Sequence, residues 1–155
     1  IILASPVYVY HVTGQMKVLL DHFGFQFMVH RPNKSMFSKT ALLVSTAAGG
    51  GMRTAINDMA QILGFWGVSK IYTFGCAVSA TKWEDVTEKR KFKIEQRVKS
   101  ISRKIVSTLN NVTPGIKTKA MFSLFRMMQK KFGMPYDKNY WQELGWLDDK
   151  RPWKD

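Results

Sequence analysis

Three short, uninterrupted apolar runs, Ile1 to Ala4, Thr40 to Ser45 and Ile71 to Cys76, alternate with segments of helical period. Runs of this kind are the pattern of strands covered on both faces, and their alternation with helices predicts right-handed βαβ crossovers in an open parallel sheet. A first helix is expected from near Thr13, with Met16, Leu19, Leu20 and Phe23 as its buried stripe and Gly24 as its stop. A second, about 52 to 63, places Met52, Ala55, Ile56, Met59, Ala60 and Leu63 on one side and stops at Gly64. A third is expected to open on a capping box between Thr81 and Glu84, with Ile94, Val98, Ile101, Ile105 and Leu109 as its apolar positions. A fourth, about 116 to 132, carries Met121, Leu124, Phe125, Met128 and Phe132 on one side and Lys119, Ser123, Arg126 and Lys130 on the other. The tail from Tyr136 shows no clear period.

The chain opens directly on a strand, which suggests that it is the later part of a longer one. Composition bounds the remaining classes. With 24 Lys and Arg against 11 Asp and Glu the net charge is +13, yet 45% of the 155 residues are hydrophobic, too many for a disordered basic tail. The excess is uneven: six basic against two acidic residues up to position 80, and eighteen against nine beyond it. A single cysteine, Cys76, offers no internal disulfide and no cysteine-rich metal site, and it reads as a buried small hydrophobe in a reducing, cytoplasmic setting. No apolar run approaches the roughly 18 residues of a spanning helix.

In an open parallel sheet the loops after the strands hold the ligand. The first, Ser5 to Lys17, leaves its strand at Pro6, which is expected to interrupt the ladder and free the amides that follow, with Tyr8 and Tyr10 able to flank a flat ring. The second, Ser45 to Gly51, places three glycines ahead of a helix N-terminus, a setting for close backbone approach to an electron-rich group. Of the two tyrosines, Tyr8 is the expected ring contact. His11 is positioned to tune or protonate a ligand but also fits an exposed loop histidine, and His22 and His30 read as structural or solvated, with no metal spacing.

Ser5-Pro6-Val7-Tyr8, then Thr13-Gly14-Gln15-Met16-Lys17 and Leu20-Asp21, followed by Ser45-Thr46-Ala47-Ala48-Gly49-Gly50-Gly51, resembles the flavodoxin-like NAD(P)H-dependent FMN reductases over about residues 1 to 110. The resemblance implies an α/β fold, a flavodoxin-like doubly wound parallel sheet in the order 2-1-3-4-5. This chain would supply the third to fifth strands, with the first two βα units and the FMN phosphate loop missing. Residues 1–112 would then belong to the FMN-binding domain and 113–155 to a C-terminal helical and aromatic extension. It also implies an oxidoreductase passing hydride or electrons from NAD(P)H through FMN to a quinone, flavin, metal ion or nitro compound, in a homodimer or homotetramer. Ser5, Pro6, Val7, Tyr8 and Val9 would line the isoalloxazine edge, and Thr46, Ala47, Ala48, Gly49, Gly50 and Gly51 its pyrimidine end. No catalytic side chain and no metal is required. His22 departs from the arginine usual there.

A competing reading is a non-catalytic basic α/β module that binds anionic partners through residues 89 to 131. Nucleic acid is not expected, since no reading module is visible. The Met- and Phe-rich face of 121 to 132 is expected to dock on its own domain or on a second subunit, although a basic amphipathic helix is also the mark of a lipid-surface binder.

Overall fold

The computed structural model describes residues 1–154. Three parallel strands, β1 (Ile2–Pro6), β2 (Thr40–Ala47) and β3 (Lys70–Ala77), form one sheet in the order β1-β2-β3. Their register sets Leu3, Leu43 and Thr73 in one row across the sheet, and Ser5, Ser45 and Gly75 in another. This arrangement agrees with the third, fourth and fifth strands of a flavodoxin-like sheet.

The two faces of the sheet are covered unequally. On one, Ala41, Leu43 and Ser45 are buried beneath α1 (Gly14–His22) and α2 (Met52–Phe65), in a core with Leu20, Ala55, Met59, Leu63 and Val68. Gly75 lets α2 settle close, since a β-carbon there would stand 3.2 Å from Met52 Cβ. On the other face α3 (Glu88–Thr108) is held to β3 mainly by polar reach. Arg97 donates to Gly75 O at 3.1 Å and lies over the Phe74 ring, and the Tyr72 hydroxyl donates to Lys104 O at 3.1 Å. No α3 residue is buried. Beside it Ala4 is exposed and Ile2 is 72% exposed, so β1 is covered on one face, not both.

Several boundaries differ from those expected. α1 does start from a Thr13 cap, whose Oγ1 accepts the Met16 amide at 3.2 Å, but Leu19 is exposed and only Leu20 of its stripe is fully buried. α2 runs through Gly64 to Phe65, because the residue that needs a left-handed backbone is Gly67, at φ +94°. The box at Thr81 and Glu84 does not form. That stretch is bends and turns, and α3 begins seven residues later, behind Thr87. α4 (Ile116–Phe132) has the expected bounds with a rotated interior: Phe122 and Gln129 are buried, while Leu124, Met128 and Phe132 are exposed. The tail contains a further helix, α5 (Pro135–Glu143), opened by a proline in its first turn.

α4, α5 and the tail build a second, aromatic core on the segment between α1 and β2. Phe122 stacks on Trp141 with ring centroids 4.8 Å apart, and Phe37, Trp146 and Trp153 close around them. Polar links fix the register: Trp141 Nε1 donates to His30 O at 2.7 Å, Tyr140 to Pro32 O at 2.9 Å, and Gln129 to Val29 O. Burial pushes the Tyr140 phenol above its ordinary value, partly offset by Arg31. His30 is not merely solvated; its Nδ1 lies 2.8 Å from the buried Asp137 carboxylate, which Arg31 also faces. Phe37 lies three residues before β2 and its carbonyl accepts a hydrogen bond from Ser69, so this core sits at the amino ends of the strands. The loops read as ligand-binding lie at their carboxyl ends.

Candidate flavin site

The first loop is more tightly built than its sequence suggests. Pro6 stands opposite Thr46 in the ladder, and the Val7 amide donates to Thr46 O at 2.9 Å, so proline does not end the pairing. Tyr8 and His11 exchange both backbone hydrogen bonds, each at 3.0 Å, closing a two-residue turn on Val9 and Tyr10. Between Pro6 and the Thr13 cap, the expectation of free amides therefore applies to Val9, Tyr10 and Val12 among the described residues. Val9 and Tyr10 have φ of +48° and +67°, a left-handed pair that L side chains rarely adopt and a β-branched residue almost never does. The turn leaves Tyr8, Val9 and Tyr10 in solvent, Val9 at 90% exposure.

Beneath it, buried Ser5 ties the ends of the loop together. Its Oγ donates to Pro6 O at 3.0 Å and accepts the Thr13 amide at 3.1 Å, so this hydroxyl is engaged within the loop.

The second loop offers the reverse arrangement, an unsatisfied backbone. Ala47 O accepts from Val78 and Ala48 O from Ser79, but the amides of Ala48, Gly49 and Gly50 make no hydrogen bond among the described residues. Gly51 caps α2 with φ +91° and supplies no capping side chain, so the first-turn amides of Met52, Arg53 and Thr54 are also open. A row of donors at the positive end of a helix dipole suits an electron-rich group.

The fold brings the two loops into contact. A β-carbon on Gly51 would stand 2.6 Å from Val7 Cγ1 and 3.2 Å from Tyr10 Cα, so only glycine allows this approach. On the far side of the turn, His11 Nδ1 lies 2.9 Å from Asp58 Oδ2 on α2. Asp58 carries no local sequence signal, being mid-helix and 47 positions from its partner. Tyr10, set aside in favour of Tyr8, is the residue whose backbone meets the glycine loop. His22 is exposed, edge-on to Phe23, and no His, Cys, Asp or Glu cluster among the described residues has the makings of a metal site.

The donor set fits FMN. An isoalloxazine presents carbonyl and ring-nitrogen acceptors along its pyrimidine edge, which match the open amides of Ala48, Gly49 and Gly50, and its flat apolar body matches the tyrosines of the turn.

A parallel α/β sheet with a glycine-rich strand-to-helix loop and an aromatic turn at its carboxyl end has its candidate site where open α/β sheets bind their ligands. The model of the NADPH-dependent FMN reductase family matches residues 1–84, from β1 past β3, and the chain belongs to that family. No curated protein matches the chain. No helix among the described residues is long and apolar enough to cross a membrane.

Proposed function

We propose that the chain holds FMN between its two strand-end loops and serves an oxidoreductase reaction in which NAD(P)H is the donor and a small quinone, flavin, metal ion or nitro compound the acceptor. The convergence of the Val9–Tyr10 turn on the unpaired amides of Ala48, Gly49 and Gly50 ahead of α2 carries this reading. When bound, FMN supplies the hydride chemistry. The amides of Ala48, Gly49 and Gly50 fix the ring's polar edge and favour negative charge that develops there, helped by the α2 dipole. Tyr8 and Tyr10 shield the ring from water. Ser5 and Gly51 hold the two loops at the separation this requires.

The test is FMN uptake by the full-length product, followed by NAD(P)H oxidation. Gly50→Val isolates the site, because a β-carbon at Gly50 meets nothing within 4 Å in the protein itself. The variant should keep its melting temperature and lose FMN affinity. Unchanged affinity would remove the glycine loop from the site.

A basic module for anionic partners finds one supporting observation, a recess of about 360 Å³ beside Cys76 lined by Lys89, Arg90, Lys93 and Arg97. Two of those cations are already engaged, Arg90 with Ala77 O and Arg97 with Gly75 O. A full-length product that takes up no FMN but binds polyanions in a salt-sensitive way would favour that module.

A further inference from the structure

Helix α4 is packed on one side only. Phe122 and Gln129 are buried, with Met121 and Phe125 half-buried beside them. At 100° per residue the opposite side carries Ile116, Ala120, Leu124 and Met127 in one column, and all four are exposed, Ile116 at 88%. Phe132, the last residue of α4, at 82% exposure, and Met134 and Tyr136 after it add exposed apolar surface at the helix end. Lys117 borders the column on one side, Lys119 and Lys130 border it on the other, and Lys131 closes its C-terminal end, all four exposed. From Ile116 to Tyr136 there is no acidic residue.

We propose that this face binds an anionic lipid surface, with α4 lying in the plane of the headgroups. Charge complementarity selects that occupant. A second copy would set lysines against lysines in a chain whose net charge is +13. The column is a convex ridge about 17 Å long from Ile116 to Met127, at 1.5 Å per residue, suited to shallow insertion. Lysines on both borders can lay their stems along the apolar residues while their ammonium groups stay at phosphate level. The docking leaves the flavin loops clear: α2 begins at Met52, next to the glycine loop, and its far end at Phe65 packs towards Phe125 of α4.

The experiment is flotation of the full-length product with vesicles of phosphatidylcholine alone and with vesicles about one third phosphatidylglycerol. Binding should occur only to the anionic vesicles and weaken with salt. Leu124→Ser with Met127→Ser, and separately Lys130→Gln with Lys131→Gln, should each reduce it about tenfold or more. All four side chains are exposed, so the melting temperature should not change. Absence of binding to either vesicle, or equal binding by both double variants, overturns the proposal. So does a dimer that the Leu124 and Met127 changes dissolve without any vesicle binding, which would assign the face to a second copy. Retention by polyglutamate in place of vesicles would overturn it in favour of an acidic protein.

Discussion

The α-carbon of Tyr10 lies 3.2 Å from the point where a β-carbon on Gly51 would stand. Two loops from different strands therefore meet without room for one methyl group, and the backbone of Gly51 is left-handed as well. Gly51→Ala forces either the turn or the start of α2 to move, and adds about 1–2 kcal/mol for an L residue in that conformation. For a chain of this size the melting temperature should fall by roughly 2–8 °C. FMN affinity should fall further than stability alone explains, as read by fluorescence titration against Gly64→Ala, near the far end of α2, where a β-carbon likewise meets nothing within 4 Å.

Val9 carries a cost of the opposite kind. A β-branched residue at φ +48° is strained, and its side chain is too exposed to recover that cost by packing. Val9→Gly is expected to stabilise the protein by up to about 1 kcal/mol, the relief at φ +48° outweighing the added freedom of the unfolded chain. Thermal melts of the unliganded protein check the sign. A fall in FMN affinity alongside a higher melting temperature would show that the strain serves to hold the turn in its binding shape.

Asp58 pairs with His11 across the outside of the same turn, at 2.9 Å and in partial exposure. Such a pair contributes little to global stability, about 0–1 kcal/mol. Its effect should be local. Asp58→Asn should leave the denaturant midpoint nearly unchanged while increasing amide exchange at Tyr8 and His11, whose amides close the turn. Equal protection in both proteins would show that the turn holds itself.

The sheet was legible because each strand is an apolar run that needs no partner to be recognised, and the glycine loop because Gly49 to Gly51 stand between such a run and an amphipathic helix. The tight turn was not. Val9 and Tyr10 carry none of the Asn or Gly that normally announce left-handed backbone, and their conformation is imposed by the Tyr8–His11 pairing and by Gly51. α3 was misplaced at its start because Thr81 and Glu84 have the spacing of a capping box without the helix to cap. The face of α4 was misread for a different reason. Leu124, Met128 and Phe132 are as apolar as Phe122, and only the aromatic partners Trp141 and Trp146, far along the chain, decide which of them is buried.

Trp141 carries the last prediction. It is fully buried, stacks on Phe122 at 4.8 Å, and spends its indole N–H on His30 O at 2.7 Å. Truncation leaves a large void and an unpaired carbonyl, so Trp141→Ala should cost about 3–5 kcal/mol and Trp141→Phe distinctly less. Chemical denaturation followed by tryptophan fluorescence measures both. Because this core packs on the segment between α1 and β2 and reaches Gly67 through Phe37, the loss should spread to the amino ends of β2 and β3. Hydrogen exchange in Trp141→Ala should rise at Lys39 and Ser69 before it rises at Val7 and Val78, whose amides are bonded at the carboxyl ends of the strands. Simultaneous exposure of both ends would show that the two cores unfold as one unit.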